Sequence, residues 1–223
     1  ISLLPYRKNV NLACKTGFRK KDEAEKDLQR SLRLLRTDHF DVYQLHGISS
    51  LEEVETAFGP GGVMELMDSL KSRGIARYIG FTAHSEEAAL RMLELYPFDT
   101  VLFPFNWFLH MEHGMGSRLL EALKEKGAGI LAMKAFIERR WEEGEDKGRF
   151  PKSWCKPIDT AAEEDFGVAA MDYALSLGAQ TLVPPGNFES FRFAVEHIDK
   201  CGGKPDMGLL QNKLRLVKGK EFF

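Results

Sequence analysis

The sequence carries little excess charge, few cysteines and no long apolar run, and each shortage removes a class of function. Its 223 residues hold 31 Lys and Arg against 33 Asp and Glu, a formal net charge of −2. The basic residues are scattered among acids, so a nucleic-acid partner has no electrostatic support. No apolar stretch reaches the roughly 20 residues a helix needs to cross a bilayer, and the opening ISLLPYRKN is too short and wrongly flanked for a secretory signal. A soluble protein with no membrane partner is expected. The three cysteines, Cys14, Cys155 and Cys201, are odd in number and far apart, with neither C-x-x-C pairs nor a zinc-type spacing, which favours a reducing cytoplasm. A G-x-G-x-x-G run after a first strand is also missing, and with it the signature of a doubly wound dinucleotide fold.

What is present is a rhythm. Short β-branched or apolar runs at 9–14, 40–45, 77–82, 100–106, 129–133 and 180–184 each precede a segment of helical period, at 22–36, 61–74, 85–95, 115–127, 161–177 and 188–199. In the first helix Ala24, Leu28, Ser31, Leu32 and Leu35 form one stripe opposite Glu23, Lys26, Asp27 and Arg30. Asp22, Ser85 and Thr160 are placed as N-caps, and Gly74, Gly127 and Gly178 close helices just before strands. Strands alternating with helices pair in parallel and need both faces covered. The pattern predicts one α/β domain over 1–223, a (β/α)8 barrel of which six βα units are present and the first two are missing. The opening residue, Ile1 in place of Met, agrees with that expectation. Residues 48–62 hold a short acidic helix and a GPGG turn. The long charged stretch 135–160 reads as a lid-like insertion or a solvated excursion, and 201–223 as a C-terminal tail.

In a barrel of this kind chemistry sits at the C-terminal ends of the strands. Lys15 and His46 occupy two successive ends. Alternation puts Val42, Gln44 and His46 on one face of the second strand and Asp41, Tyr43 and Leu45 on the other, and puts Asn11, Ala13 and Lys15 together on the first. With neighbouring strands about 4.8 Å apart, Lys15 and His46 can converge; the competing reading of Lys15 is a satisfied structural charge. The run VPPGNFESFR passes from the last strand into a helix whose first N–H groups, about Gly186 and Asn187, favour a phosphate. His110 and His113 have helical spacing but no third ligand, so no metal is expected. Phe105, Trp107 and Phe108 read either as a pocket wall or as core.

Taken in order, LACKTG, LQRSLRLLRTDHFDVYQLHG, IARYIGFTAH, FPFNWF and LVPPGNFESFR resemble the aldo-keto reductase family from about residue 9 onward. The resemblance implies a barrel that reduces aldehydes and ketones with NADPH and without a metal. Lys15 then matches the lysine that lowers the pKa of a proton-donating tyrosine, and His46 the histidine that orients the carbonyl oxygen. That tyrosine and its aspartate partner lie ahead of the lysine in the family, on a segment this sequence lacks; Tyr6, Tyr43, Tyr78, Tyr96 and Tyr173 are all misplaced for the role, so the chain alone is expected to be nearly inactive.

The resemblance also implies a cofactor side. Thr82 and Asn106 map to the groups holding the nicotinamide carboxamide, although Thr82-Ala83 replaces the common Ser-Asn and Leu102 a common glutamine. Arg192 falls where the family often meets the 2′-phosphate of NADPH, a contact a guanidinium suits. Glu196-His197 stands where many members have Glu-Asn, on the adenine side. Lys134 reaches the cofactor phosphates or closes an ion pair. The leading expectation is an NADP-dependent reductase of a small carbonyl substrate, its oligomeric state unreadable. The alternatives are a non-catalytic nucleotide-binding or scaffold barrel, and a barrel isomerase or lyase using Lys15 as a Schiff-base former.

Overall fold

A computed structural model of the protein describes residues 4–183 and 186–219. Among these, no helix is long and apolar enough to cross a membrane. The chain divides into two compact units, one holding the residues up to Leu102 together with Glu121–Gly129, the other Phe103–Leu120 and the residues from Ile130 onward.

The first unit is a run of βα crossovers. A 3-10 helix over Leu4–Asn9 leads into strand β1 (Ala13–Thr16), helix α1 (Lys21–Leu35), β2 (Phe40–Ile48), α2 (Leu51–Phe58), α3 (Met64–Ser72), β3 (Ala76–Ala83), α4 (Glu86–Leu95) and β4 (Thr100–Phe103). The strands pair in parallel, with Lys15 opposite Gln44, Gln44 opposite Gly80 and Gly80 opposite Thr100. Parallel pairing requires a crossover, and a helix supplies each one, as the alternating pattern predicts. Tyr43, Gln44 and Leu45 are all buried while His46 is exposed, so burial along β2 does not by itself separate the two predicted faces. At Gly80 a Cβ would lie 2.2 Å from Thr100 Oγ1 and 2.6 Å from Thr100 O, so only glycine lets β4 approach this closely.

Several expected boundaries shift, each for a local reason. The first strand begins at Ala13, not residue 9, because Arg7 gathers the preceding segment, donating to Val10 O, His39 O and the Asp41 carboxylate. Asp22 is not the cap of α1. The helix starts one residue earlier, its Lys21 N–H donates to Gly61 O at 3.0 Å in the GPGG turn, and Asp22 sits in the first turn, where a carboxylate favours the helix dipole. That same turn delays α3 to Met64. Ser85 caps α4 as predicted, accepting from Ala88 N–H, and Gly74 adopts a positive φ of 68° after α3. The α1 stripe is buried at Ala24 and Leu28, half-buried at Leu32 and exposed at Leu35.

The second unit contains α5 (Trp107–His113), the start of α6 (Ser117–Lys126), β5 (Gly129–Met133) from Ile130 on, β6 (Ile137–Arg140), β7 (Cys155–Pro157), α7 (Glu164–Ser176), β8 (Thr181–Val183), α8 (Phe188–His197) and α9 (Met207–Val217). Strands β5 and β8 pair in parallel across α7. The stretch 135–160 is built in part as an antiparallel hairpin of β6 and β7, laced by ion pairs from Glu145 to Arg139 and Lys156 at 2.7 and 3.2 Å.

The expected strand 100–106 ends at Phe103, because Asn106 opens α5. Thr160 does not cap α7. Asp159 O accepts from Ala162 N–H and Glu163 N–H in a turn that postpones the helix to Glu164. Within 201–223 the helix α9 forms, capped by Asp206 and burying Leu210 and Val217; that tail's last residues, 220–223, and Pro184 of the expected last strand lie outside the described residues. Phe105, Trp107 and Phe108 are core: all three are fully buried, Trp107 meets Phe166 edge-on, and its indole N–H donates to Ile137 O.

One device recurs at strand entrances. Leu12 N–H donates to the Asp41 carboxylate beside β2, Ile79 N–H to the Asp99 carboxylate just ahead of β4, and Ile130 N–H to the Gln180 side-chain oxygen just ahead of β8, at 2.7, 2.7 and 2.6 Å.

Candidate functional site

In the first unit, Lys15 and His46 stand at the C-terminal ends of the neighbouring strands β1 and β2. Lys15 lies opposite Gln44 in the ladder, two residues before His46. Partial burial pushes the Lys15 ammonium below its ordinary pKa. His46 is also pushed down, first by burial and then by the positive charges of Lys15 and Arg19, which brings the two predicted residues within electrostatic reach of one another. A histidine lowered in this way is neutral near pH 7 and offers one N–H donor.

The backbone around His46 is held from several sides. The register between β2 and β3 slips between Leu45 and Ile48, and Gly47 has a φ of 69°. The Gly47 N–H donates to Thr82 Oγ1 at 2.7 Å. The Arg19 guanidinium donates to Gly17 O at 3.0 Å, His46 O at 2.9 Å and Gly47 O at 3.1 Å, and pairs with Glu53 at 2.9 Å. Thr82, expected to meet the cofactor, is 1% exposed and has its oxygen engaged as an acceptor; its O–H remains as a donor. Arg19 and Glu53 escaped the sequence reading. The available signal was an arginine in the loop directly after the Lys15 strand, on the face where barrels gather function. Tyr43 is excluded as an acid by its surroundings: burial raises its phenol, and its electrostatic neighbours include Asp27 and Glu25 of α1.

In the second unit, Asn106 is fully buried and works at both ends. Its Oδ1 accepts from Leu109 N–H at 2.8 Å, capping α5, and its Nδ2 donates to Lys134 O at 3.1 Å. Lys134 is a non-glycine residue with a φ of 66°, and burial pushes its ammonium down. It borders a cavity of about 510 Å³ whose other walls include Ile137, Arg149, Lys152 and Trp154 on one side and Gly186 and Asn187 at the start of α8 on another. Asn187 caps α8 by accepting from Ser190 N–H, while its Nδ2 is buried with no hydrogen-bond partner among the described residues. Arg149 is engaged by the Asp159 and Glu189 carboxylates, so Lys134 and Lys152, with a helix N-terminus and an unsatisfied amide donor, are what suit the cavity to an anionic group such as a phosphate.

Arg192 and Glu196 lie on the exposed face of α8 and pair with each other, 3.6 Å apart. His197, next to Glu196, stacks on Phe193 and bonds to Glu164. His110 bonds to the Tyr173 hydroxyl and to Ser117, so both are occupied in tying helices together. The structure thus places Lys15, His46 and Thr82 in one unit, and Asn106, Lys134, Gly186, Asn187, Arg192 and Glu196 in the other.

A search among curated proteins finds no match. Among solved structures, the aldo-keto reductase AKR11C1 from Bacillus halodurans in its holo form is 16% identical, with a TM-score of 0.65 over 99% of this chain and 77% of that one. An aldo/keto reductase from Klebsiella pneumoniae, in complex with NADP and acetate, is 17% identical, with a TM-score of 0.63 over 94% of this chain and 72% of that one. MGS-M4, an aldo-keto reductase from a Medee basin deep-sea metagenome library, is 13% identical, with a TM-score of 0.64 over 97% and 74%. At such identities the likeness shows the fold, an α/β barrel of the aldo-keto reductase type. The profile of the Aldo/keto reductase family matches residues 5–177, more than half of the sequence, and the chain therefore belongs to that family of oxidoreductases.

Proposed function

We propose that the protein serves NADP-dependent reduction of aldehyde or ketone groups by the metal-free route its family resemblance implies, with Lys15 and His46 at the carbonyl. The observation that carries the reading is the placement of these two side chains on neighbouring parallel strand ends. The His46 N–H is a donor for the carbonyl oxygen, and the Lys15 ammonium stabilises negative charge developing there. Lys134, Gly186 and Asn187 line the cavity suited to the cofactor phosphates, with Arg192 toward a 2′-phosphate and Glu196 toward the adenine. The family resemblance assigns Thr82 in the first unit and Asn106 in the second to the carboxamide; both side chains are buried, at 1% and 0% exposed. The bound cofactor supplies hydride; the residues named here bind, orient and polarise.

A second reading is favoured by where the tyrosines lie. Among the described residues Tyr43 faces α1, Tyr173 bonds to His110, Tyr96 follows α4, Tyr78 lies near the entrance of β3 and Tyr6 in the 3-10 helix, none of them a neighbour of His46 in the strand ladder. On this reading the chain by itself binds the nucleotide without turning over a carbonyl. One experiment separates the two: titration with NADPH by fluorescence, then NADPH oxidation with small aldehydes. Binding that Lys134→Met weakens by about tenfold, the loss of one charge-assisted contact, together with turnover abolished by His46→Ala, supports the reductase. Binding without turnover supports the second reading, and absence of NADPH binding refutes both.

A further inference from the structure

His46 leaves its strand at an irregular point. The ladder slips between Leu45 and Ile48, and the residue after His46 is a glycine at positive φ. Such bulges re-aim a side chain, and glycine alone does little to hold the new direction. Here the backbone polar groups are gripped. Thr82 takes the Gly47 N–H. A single nitrogen of Arg19, Nη2, donates to the carbonyls of both His46 and Gly47, and its other terminal nitrogen reaches Gly17 O, two residues beyond Lys15. One guanidinium therefore touches the backbone of both strand ends.

That guanidinium is itself seated. Glu53 Oε1 accepts from Arg19 at 2.9 Å, and Glu53 Oε2 accepts from both the N–H and O–H of Ser49 at 2.7 Å. Ser50 caps α2 through the Glu53 N–H, so the carboxylate is fixed to a helix start. The Arg19 and Glu53 side chains are 15% and 32% exposed, which leaves the pair less screened than one on open surface. Nη2 serves His46 O, Gly47 O and Glu53 Oε1 with two hydrogens, one of them shared, and Nη1 serves Gly17 O; two terminal nitrogens held apart in one plane reach both strand ends, which a single ammonium does not.

We propose that Arg19, seated by Glu53, is a positioning residue that fixes the direction of His46 relative to Lys15 by holding the backbone of the bulge. This rests on the reading of Lys15 and His46 as the carbonyl-binding pair. The charged groups concerned are Lys15 from β1, Arg19 from the loop after it, and Glu53 from α2, which acts through Arg19.

The test is an NMR pH titration of the His46 ring in the full chain, assigned with His46→Gln, in wild type and in Arg19→Met, Arg19→Lys and Glu53→Gln. Arg19→Met is expected to raise the titration midpoint, since one of two positive neighbours is gone, and to broaden the ring signal as the bulge loosens. Arg19→Lys keeps the charge and loses the fork, so its midpoint stays near wild type while its line broadens. Glu53→Gln, useful where Arg19→Met does not fold, broadens the line with the arginine present. A midpoint that moves in Arg19→Met with an unaltered line in Arg19→Lys means charge alone and overturns the positioning role; so do unchanged spectra in all three. In a reductase assay the Arg19 variants should lose roughly 10- to 100-fold in kcat, the scale of an ångström's misplacement, with KM for NADPH within about twofold, and an unchanged kcat also overturns it. If wild type shows no turnover but His46 responds as expected, the positioning role stands and the reductase reading falls.

Discussion

Replacing Asn106 with alanine removes two structural duties at once, and their sizes can be worked from the geometry. The side-chain oxygen caps α5 through Leu109 N–H at 2.8 Å; losing such a cap costs about 1 kcal/mol. The amide nitrogen donates to Lys134 O at 3.1 Å, a carbonyl that also accepts from Ile137 N–H at 3.0 Å, so losing this bond costs about 0.5–1.5 kcal/mol. Asn106→Ala is therefore expected to destabilise the protein by roughly 1.5–2.5 kcal/mol. Asn106→Ser separates the two, because a hydroxyl can still cap Leu109 N–H but is too short to reach Lys134; it should recover about 1 kcal/mol of the loss. Urea unfolding followed by far-UV circular dichroism measures both. A loss under about 0.5 kcal/mol in Asn106→Ala, the range of an ordinary surface change, would refute the reasoning. So would a serine variant no more stable than the alanine one, since the cap would then contribute nothing.

Two further predictions concern packing and pH. Gly80→Ala forces a methyl to 2.6 Å from a backbone carbonyl, and should destabilise by about 1–3 kcal/mol or more; thermal unfolding indistinguishable from wild type would show that β4 yields easily. Glu145 is held at about 2 by the Arg139 guanidinium, helped by the Glu142 N–H and Lys156. Its folded pKa lies below the unfolded value of about 4.3, so its contribution is full above that value and is lost as pH falls from about 4.3 toward 2. Glu145→Gln should flatten acid destabilisation of the hairpin segment in that window, read by hydrogen exchange at β6 and β7, and an unchanged profile would assign the acid loss to other carboxylates.

The alternation of strands and helices was readable because each crossover repeats the same signals: an apolar run, a cap such as Ser85, and a closing glycine such as Gly74. That Lys15 and His46 lie at neighbouring strand ends was readable from the order of strands and helices. What escaped was set by partners distant in sequence. The start of α1 depends on a carbonyl at Gly61, forty residues on, so Asp22 looked like the cap. Arg19 carried no periodic signal, since its partners are backbone carbonyls whose identity a sequence does not show. The hairpin within 135–160 was hidden because its strands are short and separated by a charged loop. The burial of Phe105, Trp107 and Phe108 was open between pocket and core until Phe166 and the Ile137 carbonyl supplied their partners.

The side-chain acceptors at the entrances to the strands have a consequence for how such a protein can change. Asp41, Asp99 and Gln180 each accept from a neighbouring strand's N–H towards the strand entrances, so sliding a strand by two residues would leave a half-buried donor without its acceptor. Alignment is thus set from below. Loops at the other end can be lengthened, recharged or exchanged without dragging the ladder along. A designer wishing to graft a new specificity onto this scaffold should leave those three residues alone and spend every substitution on the opposite rim.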